Sequence, residues 1–246
     1  MSVTFSSTAN KNGIIQLIER NIAPGQDGFI SGNTTRLAQF TADINLALDR
    51  AFALIFQVGG TWQLDDSSHT DYPIITTNLV SGQRDYSFTT DGSGNLILEI
   101  YKVMVADENG NYREITPVDV PAGAPSNFYD GLNTTGQPNT YDKLGNGIFL
   151  DPIPNYSETN GLKIYINREA SYFVVGDTTK KPGIAGLFHE YLALRPSFQY
   201  AYRNSLANTA SLETEMLKME AAMMDYYKSR EKDVQKTMMG AYSNSH

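Results

Sequence analysis

The chain has 246 residues, 41% of them apolar and 19% charged, with 15 Tyr, 11 Phe and one Trp, so it can bury a sizeable core as one or two domains and is not a disordered polymer. It contains no cysteine, which excludes disulfides, thiolate metal sites and a cysteine nucleophile. The net charge of −8 falls wholly on residues 61–182, with eight basic and sixteen acidic side chains, against four and four in 1–60 and seven and seven in 183–246; a protein that grips nucleic acid should instead carry a basic stripe.

The opening MSVTFSSTANKNG lacks a basic end followed by an apolar run, so we expect no secretory leader and synthesis in the cytoplasm. No apolar run approaches the roughly 20 residues of a membrane span, and no membrane partner is expected.

In chain order, Asn12 can cap a helix to Ile22 with Ile14, Ile15, Leu17, Ile18 and Ile22 on one stripe, ended by Pro24-Gly25. A second helix is expected over 34–58, capped by Asn33 or Thr34. Its apolar positions Leu37, Phe40, Ile44, Leu48, Ala51, Phe52 and Ile55 step by three and four, and Gly59-Gly60 stops it. At 1.5 Å per residue it would be a rod of roughly 37 Å.

From Trp62 the period changes to two. Strands are expected over 74–80, 83–88, 96–105 and 112–115, with Asp107-Glu108-Asn109-Gly110-Asn111 turning the last two into a hairpin. Residues 117–138, rich in Pro, Gly, Asn and Ser, read as a long loop. Within 138–169, Ile148 to Leu150 and the alternating Leu162, Ile164 and Ile166 read as a hairpin whose long loop is stiffened by Pro152 and Pro154. The final third returns to helix. Leu187, Tyr191, Leu194, Phe198, Ala201 and Tyr202 predict one from Ile184 to Asn204, kinked or interrupted at Pro196. Leu212, Met216, Met219 and Met223 with Tyr226 and Tyr227 predict another over 209–233.

The expected fold is thus α+β: a helical bundle formed by N- and C-terminal helices with an all-β insert domain. Residues 1–60 hold the N-terminal helices, 61–182 a β-rich insert of about six strands, and 183–233 the C-terminal helices packing with 34–58. Phe40, Ile44, Phe52, Met216, Met219 and Met223 are the expected core of that pairing.

Candidates for chemistry are few. His69, flanked by Asp65, Asp66 and Asp71, could join a metal or acid–base site, but the same residues make an ordinary solvated turn. His189 lies beside an apolar helix face, where a hydrogen-bonded structural role fits better, and His246 is the last residue. DENGNY (107–112) starts like a calcium loop but has Tyr112 at the sixth place and Val118 at the twelfth, where Gly and an acid are required. No phosphate-cradling glycine loop, nucleophile elbow or paired-histidine helix motif occurs. No enzymatic activity, cofactor or metal is expected.

Three blocks, WQLDDSSHTDYPIITTNLVSGQRDYSF (62–88), PNTYDKLGNGIFLDPIPNYSETNGLKIYINRE (138–169) and DTTKKPGIAGLFHEYLAL (177–194), together resemble a recurrent pattern in tailed-bacteriophage head-to-tail adaptor, or neck, proteins. The likeness spans roughly residues 35–233 and carries no catalytic residue. It implies a structural virion protein whose helical part binds the portal protein and which forms a homo-oligomeric ring, as a rule dodecameric. The ring extends the DNA channel toward other neck or tail proteins, with the genome passing through unbound. Outside that likeness, residues 234–246 carry no helical or strand pattern, with Gly240, Ser243, Asn244 and Ser245 among them, and are expected to be a docking tail that binds the portal through Val234, Met238, Met239 and Tyr242. A tail-associated carbohydrate-binding or hydrolytic β-domain protein is the alternative, resting only on the aromatic-rich middle.

Overall fold

The structure is a computed structural model and describes residues 3–59, 62–65, 72–118, 133–144 and 147–230. The chain opens with an extended segment that supplies what the first helix lacks. Helix α1 (Ile14–Ile22) has Gly13 rather than Asn12 at its N-cap and no side-chain cap. Its first two amides instead donate to the carbonyls of Thr4 (3.0 Å) and Phe5 (3.2 Å). A methyl group on Gly13 would lie 2.4 Å from the Ser7 amide nitrogen, so only glycine allows this close return of the chain.

Helix α2 (Thr34–Phe56) is capped by Asn33, whose side chain accepts the Arg36 amide. After it come a single turn, α3 (Trp62–Asp65), then the strands, then α4 (Tyr191–Arg203) and α5 (Thr209–Arg230). Helix α4 is the shared partner: α1, α2 and α5 all pack on it, and α2 also touches α5. Phe40, Ile44, Phe52, Met216 and Met223 are buried in this helical core and Met219 is partly so.

Pro196 does not interrupt α4, because the proline removes one donor only, that for the Leu192 carbonyl. Beside it the Ser197 hydroxyl donates to the Ala193 carbonyl at 2.7 Å. The sequence expectation errs at the start instead. Residues 184–190 are not in the α-helix; they contain a 3₁₀ turn, Gly186–Phe188.

The strands are β1 (Ile74–Leu79), β2 (Asp85–Ser87), β3 (Ile97–Ala106), β4 (Tyr112–Glu114), β5 (Thr116–Pro117), β6 (Thr135–Gly136), β7 (Thr140–Leu144), β8 (Gly147–Asp151), β9 (Ile153–Pro154) and β10 (Glu158–Arg168). One sheet has the order β1-β10-β3-β4 and is antiparallel throughout. The other, β2-β8-β7-β5, is antiparallel except for β5 on β7, and β6 and β9 form a parallel pair. A second hydrophobic cluster draws Leu79, Val103, Leu162 and Ile164 from the first sheet and Tyr86, Tyr141, Ile148 and Leu150 from the second.

The expected hairpin within 138–169 is corrected. Strand β8 pairs with β7 and β2, whereas β10 pairs with β1 and β3, so the proline-bearing link carries the chain from one sheet to the other. The real hairpin is β7 with β8, which pair antiparallel from Thr140 opposite Asp151 to Leu144 opposite Gly147. Most of the expected loop 117–138 lies outside the described residues.

The expected fold class is also corrected. The chain is mixed α+β, with its strands mostly in the middle and helices at both ends, but it is not a bundle of terminal helices around an all-β insert. The stretch 61–182 is not all-β. It contains α3, and its flanks fold with the helices: Trp62, Ala170 and Phe173 belong to the helical core. The reason is aromatic packing, since the Trp62 ring meets Phe52 edge-on at 4.8 Å and Tyr227 at 5.6 Å, while Phe173 stacks on Phe5 at 4.8 Å.

Candidate assembly surface

The buried polar groups form structural nodes. His189 is fully buried: its Nδ1 accepts the Val3 amide at 3.0 Å and its Nε2 lies 2.9 Å from the Ile184 carbonyl, which requires the proton on Nε2. Glu19 on α1 accepts the amides of Ile30 (2.8 Å) and Ser31 (2.7 Å) and the Ser31 hydroxyl, fastening the loop before α2. Glu220 on α5 accepts the Tyr191 hydroxyl at 2.7 Å, with Arg195 at 3.6 Å and Arg50 at 3.8 Å. Burial first, then the Glu220 carboxylate, pushes the Tyr191 phenol far above its ordinary range.

Asp107 is engaged within its own turn. Its Oδ1 accepts the amides of Asn109 (2.8 Å) and Asn111 (2.9 Å) within its own turn, and these bonds hold its carboxyl below the usual range. Among the described residues no group of three or more His, Asp or Glu is placed to hold a metal ion. No described helix is long and apolar enough to cross a membrane. His69 with Asp66 and Asp71, and His246, lie outside the described residues, as do the expected portal-binding Val234, Met238, Met239 and Tyr242.

What the structure does present is rigidly held apolar surface. The turn after β10 is tied to α2 along one flank: Asn45 grips Phe173 by both its amide (2.9 Å) and its carbonyl (3.0 Å), and Asp49 accepts the Tyr172 hydroxyl at 2.7 Å. The Lys180 ammonium donates to the Tyr172 carbonyl, and Asp177 accepts the Val174 amide at 2.8 Å. At the tip of this pinned turn Val174 is 61% and Val175 44% exposed. Leu46 on α2, Leu187, Tyr202 on α4 and Leu217 on α5 are each more than half exposed.

An open cleft of about 460 Å³ between α2 and α4 is lined by Arg36, Phe40, Asp43, Tyr200 and Arg203. Burial raises the Asp43 carboxyl and the Arg203 charge partly offsets this. The Arg36 guanidinium lies 4.0 Å over the Phe29 ring and donates to the Phe29 carbonyl, so its position is fixed.

Sequence reasoning did not single out Val174, Val175, Leu46 or Leu217. Leu46 and Leu217 sit off the core stripe of their helices, and that was the available signal: each is an apolar residue on the wrong face. Comparison with protein-family models and with curated proteins finds no match to this chain.

Proposed function

We propose that the chain is a structural virion protein, a subunit of a head-to-tail connector ring that binds the portal and extends the DNA channel to the tail. The observation that carries this reading is the display of large apolar side chains by elements fixed from several sides. Val174 and Val175 stand on a turn held by Asn45, Asp49, Asp177 and Lys180, and such preorganised apolar surface binds a protein partner without an added ordering cost. The likeness of residues 62–88, 138–169 and 177–194 to adaptor proteins of tailed phages supports it further. So does the acidic middle segment, which disfavours attachment to passing DNA.

In this reading the partners are the portal protein, other neck or tail proteins and further copies of the chain in a dodecameric ring. Its place is the head-to-tail interface of the virion after synthesis in the host cytoplasm. Residues 234–246 bind the portal through Val234, Met238, Met239 and Tyr242. The test is negative-stain microscopy of the protein mixed with its portal. Rings stacked coaxially on the portal are expected; a monomer that leaves portals bare and instead binds or hydrolyses glycans would overturn the proposal.

A further inference from the structure

The open cleft of about 460 Å³ between α2 and α4 gathers charged and aromatic side chains from one face of each helix. Arg36, Phe40 and Asp43 stand on α2 at steps of four and three, and Tyr200 and Arg203 stand on α4 a step of three apart. The Phe40 and Tyr200 rings meet at 5.5 Å. Helix α4 runs antiparallel to α2, since Tyr200 near its end meets Phe40 near the start of α2, while Tyr191 at its start bonds Glu220, which Arg50 of α2 approaches to 3.8 Å. Arg36, one turn before Phe40, and Arg203, almost one turn after Tyr200, therefore stand at the same end of the cleft. Asp43 lies beyond the aromatic pair.

These charges do not satisfy one another. Among the described residues neither Asp43 nor Arg203 has a hydrogen-bonded or ion-paired partner, and the Arg203 charge reaches Asp43 only across a gap too wide for an ion pair. Arg36 is held in place by the Phe29 ring and by one bond to the Phe29 carbonyl, which leaves the other N–H groups of its fork available. Two guanidiniums at one end of the cleft favour an anion, and the aromatic pair beside them favours an apolar group. Asp43 favours a donor. Burial already raises its carboxyl, so a second anion brought against it would be repelled.

That combination separates two classes of ligand. A phosphodiester backbone offers acceptors only, whereas a peptide with an acidic side chain offers a carboxylate, an apolar neighbour and backbone N–H donors together. We infer that the α2–α4 cleft is a docking site for an acidic segment of a protein partner. Arg36 and Arg203 hold its carboxylate, a backbone N–H of the segment donates to Asp43, and an apolar side chain packs on Phe40 and Tyr200. The site does not depend on the connector reading, and it adds a charge-selective contact to the apolar surface described above. Because Arg36 is already fixed and the cleft is open in the unbound chain, docking orders little of the protein.

The test is an NMR titration of the arginine Nε–H signals with acetylated and amidated hexapeptides that place one Glu at every spacing from one Phe, each matched by a peptide with Gln instead of Glu. Glu peptides are expected to shift the Arg36 and Arg203 signals and to bind about tenfold more tightly than their Gln counterparts, as a charge-assisted pair requires. R203E changes an exposed position, and an unchanged melting temperature will confirm its fold; R203Q serves if the reversal lowers it. Either variant is expected to lose the Glu peptides by about tenfold, and R203E to gain peptides with Lys in place of Glu. Glu and Gln peptides that bind alike, arginine signals that no peptide shifts, or Glu peptides that bind the variant as tightly as the parent overturn the inference. A short oligothymidylate that shifts both signals at lower concentration than any peptide also overturns it and assigns the cleft to phosphate.

Discussion

The Arg168 guanidinium meets the Asp91 carboxylate at 2.6 Å with both side chains almost sealed from solvent, at the point where the end of β10 passes under the turn that leads into β3. Asp91 also accepts the amides of Ser93 and Asn95, and Gln63 of α3 bonds the Arg168 amide and carbonyl at 3.1 and 2.9 Å. The next residue back, Trp62, is in the helical core. This node therefore couples the sheet to the helices.

Asp91→Ala removes a charge-assisted bond to a buried guanidinium, so it should lower stability by about 1.5–3 kcal/mol, measured by urea denaturation. The pH dependence follows from the same contacts. Burial alone would raise the Asp91 carboxyl, but the bonds from Asn95, Arg168 and Ser93 together outweigh it and hold it below the ordinary value. A folded-state value below the unfolded one, about 3.9, contributes stability above that pH that is lost as pH falls through the lower folded value. The acid limb of stability should therefore be shallower in Asp91→Ala; identical acid limbs would refute the assignment.

Tyr191 and Glu220 make a second test, at high pH. The folded phenol is held above its unfolded value of about 10, so the unfolded chain loses that proton first and stability falls as pH rises beyond about 10. Tyr191→Phe should remove this alkaline decline. It should also cost about 1.5–3 kcal/mol at neutral pH, the usual range for a hydrogen bond to a charged group. A variant with the parent's full alkaline decline would show that another group titrates.

Phe52 is 4% exposed and packs edge-on against Trp62 at 4.8 Å. Phe52→Ala should cost about 3–5 kcal/mol through lost transfer energy and the cavity left behind. Because Trp62 is the chain's single tryptophan, its fluorescence should also change in the native state. An unchanged melting temperature would contradict the packing described.

The parts of this fold legible in the sequence were those whose residues repeat with a strong local period. Helices α1 and α2, the alternation of Leu162, Ile164 and Ile166, and the β3–β4 hairpin all follow from spacing and turn residues. Partner choice between strands was not legible: β8 and β10 are close in sequence, yet hydrogen bonding across different sheets separates them. Nor could periodicity show that Trp62, Ala170 and Phe173 join the helical core, because single side chains flanking the strands carry no repeat. The exposed tip at Val174-Val175 has the same character. Its meaning comes from ties to Asn45 and Asp49 more than a hundred residues away in sequence.

The acidic middle segment leads to a prediction about DNA. If residues 61–182 contribute to the channel wall, their excess of eight acidic side chains is multiplied around the ring and repels phosphate. Assembled rings should then fail to retain duplex DNA in a gel-shift assay even at low salt. Retention that weakens steeply as salt is raised would reveal a cationic lining instead.

The last prediction concerns residues 234–246, VQKTMMGAYSNSH, proposed above to bind the portal, which lie outside the described residues. Val234, Met238, Met239 and Tyr242 are its apolar members, and each would contribute roughly 1.5–3 kcal/mol if fully buried in a partner. Fixing the backbone costs about 1–2 kcal/mol per residue, so a single tail binds weakly. In the proposed connector a ring would present many tails at once to a symmetric portal, and the later contacts would form at high effective concentration. Deleting 234–246 should therefore reduce cosedimentation with portal rings sharply, while leaving the melting temperature of the remaining chain unchanged. Replacing only Met238, Met239 and Tyr242 with serine should reproduce most of that loss if apolar anchoring is the cause. Undiminished binding by the deletion would assign the portal contact to the helical part of the chain.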